Sequence, residues 1–465
     1  MKSNFIGLVL AAGKGTRFKS NKIKVLHSIM GKPMLGYVLD CLKKLKLEET
    51  YVVVGNQKEK LMEEFSSEGI NFVEQKEQLG TAHAVMSADK ILKKNLDKDI
   101  LIINGDIPLI RPETIRSFFS EHRKKNNSLT FFSAELDNPY GFGRVIHKKN
   151  KGISIIEEKD ASGEQRKIKN VNAGIYMFKV KDLKEALPKV SDKNVKKEYY
   201  ITDLIEIMGQ MQKKVGVFKT DHPEEVIGVN DRNDLSKVTD IIRKKKIKTL
   251  AKKGITIYDP GNTWIDVNVK IGRDTVIYPS VIIEGNSIIG SNCLIYPFVH
   301  IIDSRIGNYV RVLSSTYVEN SVLNDEVRLG PFSRLRPNTV IKRGAKIGNF
   351  VEMKNTIFGK KSKAGHLSYL GDCEVKEDVN IGAGTITCNY DGVRKHKTVI
   401  ERNAFIGSGV ELVAPVKIGK GAYIGAGSTI TKDVKPESLA ISRIQQKEKE
   451  NWTRKKQKRV KSRKE

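Results

Sequence analysis

Short segments of this sequence carry residue types that bind phosphate groups. Residues 13–17 read GKGTR and follow an apolar run at residues 6–10. A glycine-rich loop after a strand lets backbone N–H groups approach a phosphate closely at the N-terminus of a helix. The loop lacks the third glycine of a dinucleotide fingerprint and the spacing of a P-loop. An ordinary strand-to-helix turn therefore explains it nearly as well.

Asp106 lies in the segment NGDIP at residues 104–108, again after an apolar run. An acidic side chain at the carboxyl end of a strand lies where α/β sheets bind ligands, and carboxylate oxygens suit Mg²⁺. Helix capping is the alternative, because Pro108 follows closely.

His366 lies in the segment KAGHLSYLGD at residues 363–372, and the segments NIGAGT (380–385) and NYDG (389–392) follow it. An imidazole titrates near neutrality and can accept a proton from an attacking amine. A lone histidine is more often structural. This one lies between glycine-containing turns on a predicted rigid framework, which favours a catalytic role.

The first half of the chain alternates strand and helix patterns. Apolar runs at residues 6–10, 51–54, 100–103 and 129–132 predict strands. After Pro33, an amphipathic stripe predicts a helix, and it consists of Met34, Leu35, Val38, Leu39, Leu42 and Leu45. This alternation predicts a parallel α/β sheet, Rossmann-like in class, with helices on both faces.

From residue 265 the hydrophobic period changes to six. The aliphatic residues that keep this period are Ile265, Ile271, Ile277, Ile283, Ile289, Ile295, Ile301, then Leu329, Leu335, Ile341, Ile347, and finally Ile400, Ile406, Leu412, Ile418, Ile424 and Ile430. One inward aliphatic side chain per six residues predicts a left-handed parallel β-helix of hexapeptide repeats. Such a prism would have about nine coils, each rising about 4.8 Å. The His366 segment lies in an interruption of the period after Ile347.

The charge and composition set the domain boundaries and the expected partners. The formal net charge is +29, which attracts polyanions, although solvated lysine runs explain much of it. We expect a first domain at residues 1–230, a helical linker at 231–253, the β-helix at 254–443 and a flexible basic tail at 444–465. A nucleic-acid partner is not expected.

The four cysteines are isolated in the sequence, which indicates neither a disulfide framework nor a zinc site. The apolar N-terminal run ends at Lys14 and is too short for a typical signal peptide. No apolar run reaches the 18 residues expected of a membrane span. These features predict a cytoplasmic protein.

Several motifs together resemble one bacterial enzyme family. They are LAAGKGTR (10–17), KVL (24–26), QKEQLGTA (75–82), NGDIP (104–108), GFGR (141–144), EEKDA (157–161), NAGI (172–175), GVN (228–230), KAGHLSYLGD (363–372) and NYDG (389–392). They are similar to those of the bifunctional N-acetylglucosamine-1-phosphate uridylyltransferase and glucosamine-1-phosphate N-acetyltransferase family. The resemblance extends from residue 8 to about residue 443. It implies a homotrimer that makes UDP-N-acetylglucosamine for peptidoglycan and, where an outer membrane exists, for lipid A.

The resemblance also implies a first site that transfers uridylyl from UTP and releases pyrophosphate. Asp106 and Asn230 would hold Mg²⁺. The residues that would contact nucleotide, phosphate or sugar are Leu10, Ala11, Ala12, Gly13, Lys24, Gln75, Gly80, Thr81, Asn104, Gly105, Asp106, Gly143, Glu157, Asn172 and Asn230. Such a reaction needs mainly positioning and charge neutralisation from the protein.

The second implied site transfers acetyl from acetyl-CoA to glucosamine-1-phosphate. His366 would be the general base, with Glu352 as a candidate to orient it. Residues that would bind the sugar phosphate are Arg336, Lys354, Tyr369 and Asn380, while Asn389 and Tyr390 would contact the sugar or acetyl-CoA. Residues that would line the acetyl-CoA path are Ala383, Lys395, Ser408, Ala426 and Arg443.

Two positions depart from the family pattern, which usually has proline where this chain has Ile23 and often has tyrosine at the position of Asn104. Neither change removes a charge, so we expect altered loop stiffness or sugar packing. Two alternatives stay open. One is a single-activity sugar-1-phosphate nucleotidyltransferase with a structural β-helix, and the other is a basic scaffold without turnover.

Overall fold

The computed structural model describes residues 5–55, 58–148 and 152–461. The chain divides into two units, Met1–Lys244 and Lys245–Glu465. Their boundary lies inside the predicted linker. Among the described residues, no helix is both long enough and apolar enough to cross a bilayer.

The first unit is built on a mixed sheet. Its strands are β1 (Phe5–Leu10), β2 (Ser28–Ile29), β3 (Lys32–Pro33), β4 (Thr50–Val54), β5 (Asn71–Glu74), β6 (Asp99–Asn104), β7 (Leu129–Glu135), β8 (Arg144–Lys148), β9 (Gly152–Ile156), β10 (Asn170–Lys179) and β11 (Val215–Lys219). The order is β11-β7-β10-β6-β1-β4-β5, and the hairpin β8–β9 joins through β10. Strands β2 and β3 form a separate hairpin.

The prediction of a parallel sheet is wrong at β10 and in the hairpin β8–β9. Strand β10 lies antiparallel to both β6 and β7, whereas β1 is parallel to β4 and β6. Between β7 and β10 the chain forms a hairpin and one four-residue helix instead of a full crossover helix. Without a crossover the returning strand runs antiparallel.

Helices cover the sheet as predicted. They are α1 (Met34–Leu45), α2 (Lys58–Phe65), α3 (Thr81–Met86), α4 (Asp89–Lys94), α5 (Pro112–Lys124), α7 (Val180–Ala186) and α8 (Asp203–Gln210). The short helix α6 (Gly163–Arg166) buries no residue, and the long helix α9 (Arg232–Lys252) contributes Ile247 and Leu250 to the core of the second unit. All six apolar residues predicted for the α1 stripe are buried, which confirms that helix. Alternate residues of β6 enter different cores, Leu101 and Ile103 on one face and Ile100 and Ile102 on the other. The sheet is therefore buried on both sides.

The second unit is a three-sided prism of short parallel strands. In the described residues, the first sheet has eleven strands: Thr256–Ile257, Val276–Ile277, Leu294–Ile295, Arg311–Val312, Arg328–Leu329, Lys346–Asn349, Lys363–His366, Asn380–Ile381, Phe405–Ile406, Tyr423–Ile424 and Leu439–Ala440. The second has ten: Trp264–Ile265, Ile282–Glu284, His300–Ile302, Tyr317–Glu319, Arg334–Leu335, Glu352–Lys354, Tyr369–Gly371, Ile386–Cys388, Glu411–Val413 and Thr429–Ile430. The third has nine: Lys270–Ile271, Ile288–Ile289, Arg305–Ile306, Ser321–Leu323, Thr339–Ile341, Ile357–Phe358, Cys373–Val375, Thr398–Ile400 and Val416–Ile418.

Each strand pairs in parallel with the strand one coil later, which is the arrangement of the predicted left-handed β-helix. The second sheet indicates ten coils where the sequence predicted about nine. The coils are slightly shorter than eighteen residues because four turns between the second and third sheets are shortened. Each of these turns places an aspartate or asparagine at positive φ, namely Asp303, Asn320, Asn355 and Asp372. We call this edge the Asx corner.

The predicted interruption after Ile347 is wrong. The inward positions continue without a gap and are held by the buried residues Met353, Phe358, Ala364, Leu370, Val375 and Ile381. Shortened turns move the phase by one residue, and methionine, phenylalanine and alanine fall outside the strict isoleucine–leucine pattern. The true insertion is the loop at residues 389–397, which lies between the second and third sheets.

Helices lie near both ends of the second unit. Asp231 caps α9 by accepting hydrogen bonds from the N–H groups of Asn233 and Asp234. The tail predicted to be flexible contains helix α10 (Trp452–Lys461). Lysine, arginine and glutamine are good helix formers, so a basic composition alone does not predict an irregular segment.

Candidate functional sites

The first candidate site lies at the carboxyl edge of β1 and β6, which are neighbours in the sheet. Leu10 pairs with Asn104, and the N–H of Gly105 donates to the carbonyl of Leu10 at 2.9 Å. Ala11 and Ala12 are buried behind this edge, and a side chain at Gly13 would face open space. The two sequence-predicted segments therefore meet at one edge of the sheet, which is open at Gly13.

The predicted metal ligands point at one cation. The ammonium of Lys24 forms an ion pair with Asp106 and donates to Oδ1 of Asn230 at 3.2 Å. Arg17 also donates to Oδ1 of Asn230 at 2.9 Å. The backbone holds the pair together, because the N–H of Val229 donates to the carbonyl of Asp106. Two oxygens from distant segments thus share one positive charge, and this donor set fits a divalent cation with few protein ligands.

Gly15 explains how Lys24 reaches this position. Its φ is +59°, and a Cβ there would lie 2.7 Å from Cβ of Lys24. Only glycine avoids both the left-handed strain and the contact. Gly15 therefore allows Lys24 to pack against the loop, and Gly13 leaves the sheet edge open.

A second group of predicted residues surrounds the start of α3. The side-chain amide of Gln75 donates to the carbonyl of Gly80 at 3.2 Å. Gly80 packs directly against the backbone of Tyr199, and Oγ1 of Thr81 accepts from the N–H of Ile201 at 3.0 Å. The segment 199–203 thus positions this group, and the sequence reasoning missed it.

The predicted sugar residues lie around β10 and the hairpin β8–β9. The N–H of Asn172 donates to the carbonyl of Gly143, and its side chain donates to the hydroxyl of Tyr176. Oε1 of Glu157 accepts from Thr202 at 3.2 Å, and a Cβ at Gly143 would lie 3.4 Å from that oxygen. Burial raises the pKa of Glu157.

Asp203, which is half-buried at the start of α8, adds a second carboxyl near Glu157. Burial, and then the nearby charge of Glu157, raise the pKa of Asp203 to about 6. Asn104 closes the other side of the group, since a Cβ at Gly174 would lie 2.5 Å from its amide nitrogen. The glycines at 143 and 174 therefore leave room for the polar side chains of Glu157 and Asn104.

In the second unit, the turns from the first to the second sheet define an edge that we call the His366 corner. Up to and including Leu367, which follows His366, this corner carries the exposed apolar residues Phe332, Phe350 and Leu367, all at positive φ. After Leu367, the equivalent positions are Gly384, Gly409 and Gly427. The corner therefore changes from a bulky apolar ridge to an open step directly after Leu367.

The open part of the corner collects four of the five residues predicted to line the acetyl-CoA path, whereas the fifth, Lys395, lies beside Lys354 in a separate loop. The carbonyl of Ala383 accepts from the N–H of Gly409, and the carbonyl of Ser408 accepts from the N–H of Gly427. Arg443 donates to the carbonyl of Ala426 at 2.6 Å. Ala383, Ser408 and Ala426 thus occupy the same place in successive coils, and they form a small-residue track suited to a long slender ligand.

His366 itself is exposed, and its partner differs from expectation. Nδ1 of His366 lies 2.5 Å from Oδ1 of Asn349. The expected partner, Glu352, instead accepts from Arg336 at 3.0 Å. In-register pairing explains the difference, because Asn349 lies on the neighbouring strand at the same position as His366. Asn380 lies one coil further on the first sheet, beside Lys363.

Three cations converge on the second sheet near the Asx corner. Lys395 and then Arg336 lower the pKa of Lys354, since each disfavours a further positive charge. Tyr369 and Asn389 lie close by, because a Cβ at Gly371 would contact the Tyr369 hydroxyl and the Asn389 amide. An anion at this position would relieve the repulsion among the three cations.

The inserted loop 389–397 brings Lys395 to this cluster. Tyr390 and Lys395 form an antiparallel bridge, and His396 lies 2.6 Å from Asp391 across the loop. Asn389 donates to Asp372 and anchors the start of the loop. Beneath the loop lies an open cleft of about 620 Å³, lined by Asn320, Val322, Asn338, Thr339, Val340, Asn355, Ile357, Asp372, Cys373, Glu374, Lys395, His396 and Lys397.

Known protein families match both halves of the chain. The nucleotidyl transferase family model matches residues 6–267, and the bacterial transferase hexapeptide model matches residues 268–303 and 397–432. The protein "Bifunctional protein GlmU" of Fervidobacterium nodosum is 48% identical over 455 residues, covering 98% of each chain. The protein of the same name in Thermotoga maritima is 47% identical over 451 residues, covering 97% of this chain and 99% of the relative. This chain belongs to the bifunctional GlmU family.

Membership of the GlmU family relates the two candidate sites to one bifunctional protein. The sequence-predicted residues of the first site lie around one sheet edge, and those of the second lie along the His366 corner, on the adjacent sheets and in the loop 389–397. Sequence reasoning missed Asn349, the segment 199–203 and Asp372. The strand register could have identified Asn349, which lies 17 residues before His366, one shortened coil away.

Proposed function

We propose that the chain makes UDP-N-acetylglucosamine in two steps, one in each unit. The second unit transfers acetyl from acetyl-CoA to glucosamine-1-phosphate. The first unit then transfers uridylyl from UTP to N-acetylglucosamine-1-phosphate and releases pyrophosphate. One observation carries this proposal: each unit has its own set of converging cations, Arg17 and Lys24 in the first and Arg336, Lys354 and Lys395 in the second.

In the first unit the residues around Asp106 bind and orient phosphate groups. The sugar phosphate attacks the α-phosphorus of UTP in line, and pyrophosphate leaves. Lys24 and Arg17 neutralise phosphate charge once they exchange their present contacts for the nucleotide. The Gly13 loop supplies backbone N–H groups. Gln75, Gly80 and Thr81 form the nucleobase end, and Gly143, Glu157 and Asn172 form the sugar end.

Asp106 and Asn230 are the proposed ligands of Mg²⁺. Their oxygens share the Lys24 ammonium, so they already face a common cation position. When bound there, Mg²⁺ would neutralise negative charge on the phosphates. Lys24 would then be free to contact a phosphate oxygen.

In the second unit His366 accepts a proton from the amine of glucosamine-1-phosphate as the amine attacks the thioester. Arg336, Lys354 and Lys395 bind the sugar phosphate, and Tyr369, Asn380, Asn389 and Tyr390 surround the sugar. The small-residue track at Ala383, Ser408 and Ala426 accepts acetyl-CoA, with Arg443 at its end. The exposed ridge at Phe332 and Phe350 supports assembly with neighbouring prisms, and we propose a homotrimer.

The substrates also suggest where the protein works. UTP and acetyl-CoA are intracellular metabolites, so the proposed reactions belong in the cytoplasm. The product would supply activated N-acetylglucosamine for peptidoglycan and, where an outer membrane is made, for lipid A.

Two assays on the purified protein test the proposal. A thiol-release assay with glucosamine-1-phosphate and acetyl-CoA measures acetyl transfer. A pyrophosphate-release assay with UTP, N-acetylglucosamine-1-phosphate and Mg²⁺ measures uridylyl transfer. We expect His366→Ala to lower acetyl transfer about 10²- to 10⁴-fold and to leave uridylyl transfer unchanged. We expect Asp106→Ala to do the reverse.

Either of two results would contradict the proposal. Wild-type protein that releases pyrophosphate but no thiol would be a single-activity nucleotidyltransferase with a structural prism. If one of the two substitutions abolished both activities in folded protein, the sites would not be independent.

A further inference from the structure

Asn349 is the one side chain that holds a ring nitrogen of His366 within the described residues. Oδ1 of Asn349 lies 2.5 Å from Nδ1 of His366. The carboxylate that lies nearby in sequence, Glu352, is engaged by Arg336 instead. The ring nitrogen Nε2 is therefore the one available to a substrate.

The backbone makes this contact a rigid one. Asn349 and His366 are register partners on neighbouring parallel strands. The N–H of Leu367 donates to the carbonyl of Asn349 at 3.0 Å. A Cβ at Gly348 would lie 1.9 Å from the carbonyl of Gly365, so only glycine allows the two strands to approach this closely here. The coil repeat thus holds the Asn349 amide next to the His366 imidazole.

The chemistry of an amide oxygen decides which nitrogen of His366 is protonated. An amide oxygen only accepts hydrogen bonds, so the proton must lie on Nδ1. Nε2 then carries a lone pair that can accept a proton. We infer that Asn349 is a positioning residue for acetyl transfer: it fixes the Nδ1–H tautomer of His366 and directs Nε2 at the amine. This inference rests on the proposed acetyltransferase function.

The proposed step balances as follows. The C–N bond forms as the amine attacks the thioester carbon, and the C–S bond breaks. One amine proton passes to Nε2 of His366, and the departing CoA thiolate takes up a proton. Asn349 exchanges no proton and acts only through the ring.

An amide and a carboxylate at position 349 would differ in charge, and this difference gives a test. Asn349→Asp keeps an acceptor oxygen at Nδ1 but adds a negative charge that stabilises the imidazolium. Asn349→Leu keeps the approximate volume and removes the acceptor. Asn349→Asp keeps the Nδ1–H tautomer of His366 and changes the charge beside it. Asn349→Leu no longer favours one tautomer over the other.

The experiment combines kinetics with nitrogen NMR of the full chain labelled at histidine. For Asn349→Leu we expect kcat of acetyl transfer to fall about 10- to 100-fold, the range found when a histidine ligand loses its hydrogen-bond partner. The KM values should stay within about twofold, and the His366 signals should shift toward a tautomer mixture. For Asn349→Asp we expect near wild-type kcat, with the acidic limb of the rate profile moved to higher pH by about one unit. Uridylyl transfer of each variant controls for folding.

An unchanged kcat and an unchanged tautomer in Asn349→Leu would overturn the inference. So would equal losses in Asn349→Leu and Asn349→Asp with no shift of the pH profile, because that pattern indicates a structural role only. If the wild-type protein releases no thiol, the proposed acetyltransferase function fails. The tautomer measurement then still decides whether Asn349 fixes the His366 ring.

Discussion

In the first unit the site residues come from loops of different shape, whereas in the second unit the residues of the small-residue track come from the same position of successive coils. Asp106, Asn230 and Lys24 are brought together by three unrelated segments. In contrast, Ala383, Ser408 and Ala426 differ only in which coil they occupy. The position of a side chain at the sheet edge therefore depends on its individual neighbours. The position of a side chain on the prism depends on its place in the repeat.

This difference has a consequence for substitutions. On the prism, a side chain found at one position of a coil shows that the equivalent position of another coil can hold that side chain. At the sheet edge no such precedent exists, and burial and charge at each position decide the effect. Substitutions in the two units can therefore test whether this contrast holds.

The largest expected effect comes from exchanging one corner residue for its counterpart in another coil. Gly409→Phe copies Phe350, which occupies the equivalent position at φ +56°. The fold should tolerate it at a cost of about 1–2 kcal/mol for a left-handed side chain. The ring would block the proposed acetyl-CoA track, so we expect kcat/KM for acetyl-CoA to fall roughly 100-fold.

Gly409→Ser is the matched control, because Ser315 adopts φ +57° at the same corner. It has the same backbone strain but a small side chain. We expect nearly unchanged acetyl transfer in the serine variant and unchanged uridylyl transfer in both variants. Equal losses for serine and phenylalanine would mean that strain, and not bulk, disturbs the site.

The same contrast explains how much the sequence alone predicts. The six-residue period predicts the prism because every coil repeats one burial rule, and the apolar stripe predicts α1 because all six of its residues face the core. The antiparallel β10 was missed because it begins with Asn170 and Asn172 and so lacks an apolar run at its start. Contacts such as Lys24 with Asn230, 206 residues apart, follow from no local pattern.

The next effect concerns the half-buried carboxyl of Asp203, at the start of α8. The folded-state pKa of Asp203 is raised to about 6, so the folded chain binds more protons than the unfolded chain between about pH 4 and pH 6. Stability contributed by this group therefore falls as pH rises through that window. Asp203→Asn removes the cost, and we expect it to stabilise the first unit by about 1–2 kcal/mol at pH 7.5 after allowance for solvent screening.

Thermal unfolding at two pH values checks this expectation. The stabilisation by Asp203→Asn should shrink by about half at pH 5, because the wild-type carboxyl is then largely protonated in the folded state. Asp97→Asn, at an exposed position, serves as the control and should change little at either pH. A stabilisation independent of pH would contradict the burial argument for Asp203.

The smallest expected effect concerns a row of cations on the first sheet. Arg311, Arg328, Lys346 and Lys363 are consecutive register partners, and all four are exposed. Adjacent parallel strands lie about 4.8 Å apart, so like charges on neighbouring strands repel. Lys346→Glu would place a negative charge between Arg328 and Lys363.

We expect Lys346→Glu to stabilise the prism by about 0.5 kcal/mol at low salt and by much less at 1 M salt, where charges are screened within about 3 Å. Lys346→Gln, which only removes repulsion, should give a smaller gain. Chemical unfolding of the second unit at both salt concentrations measures these differences. If the glutamate variant were less stable than the glutamine variant at low salt, side chains in register would not interact along the coils, and the repeat would not be the correct frame for residues on the prism.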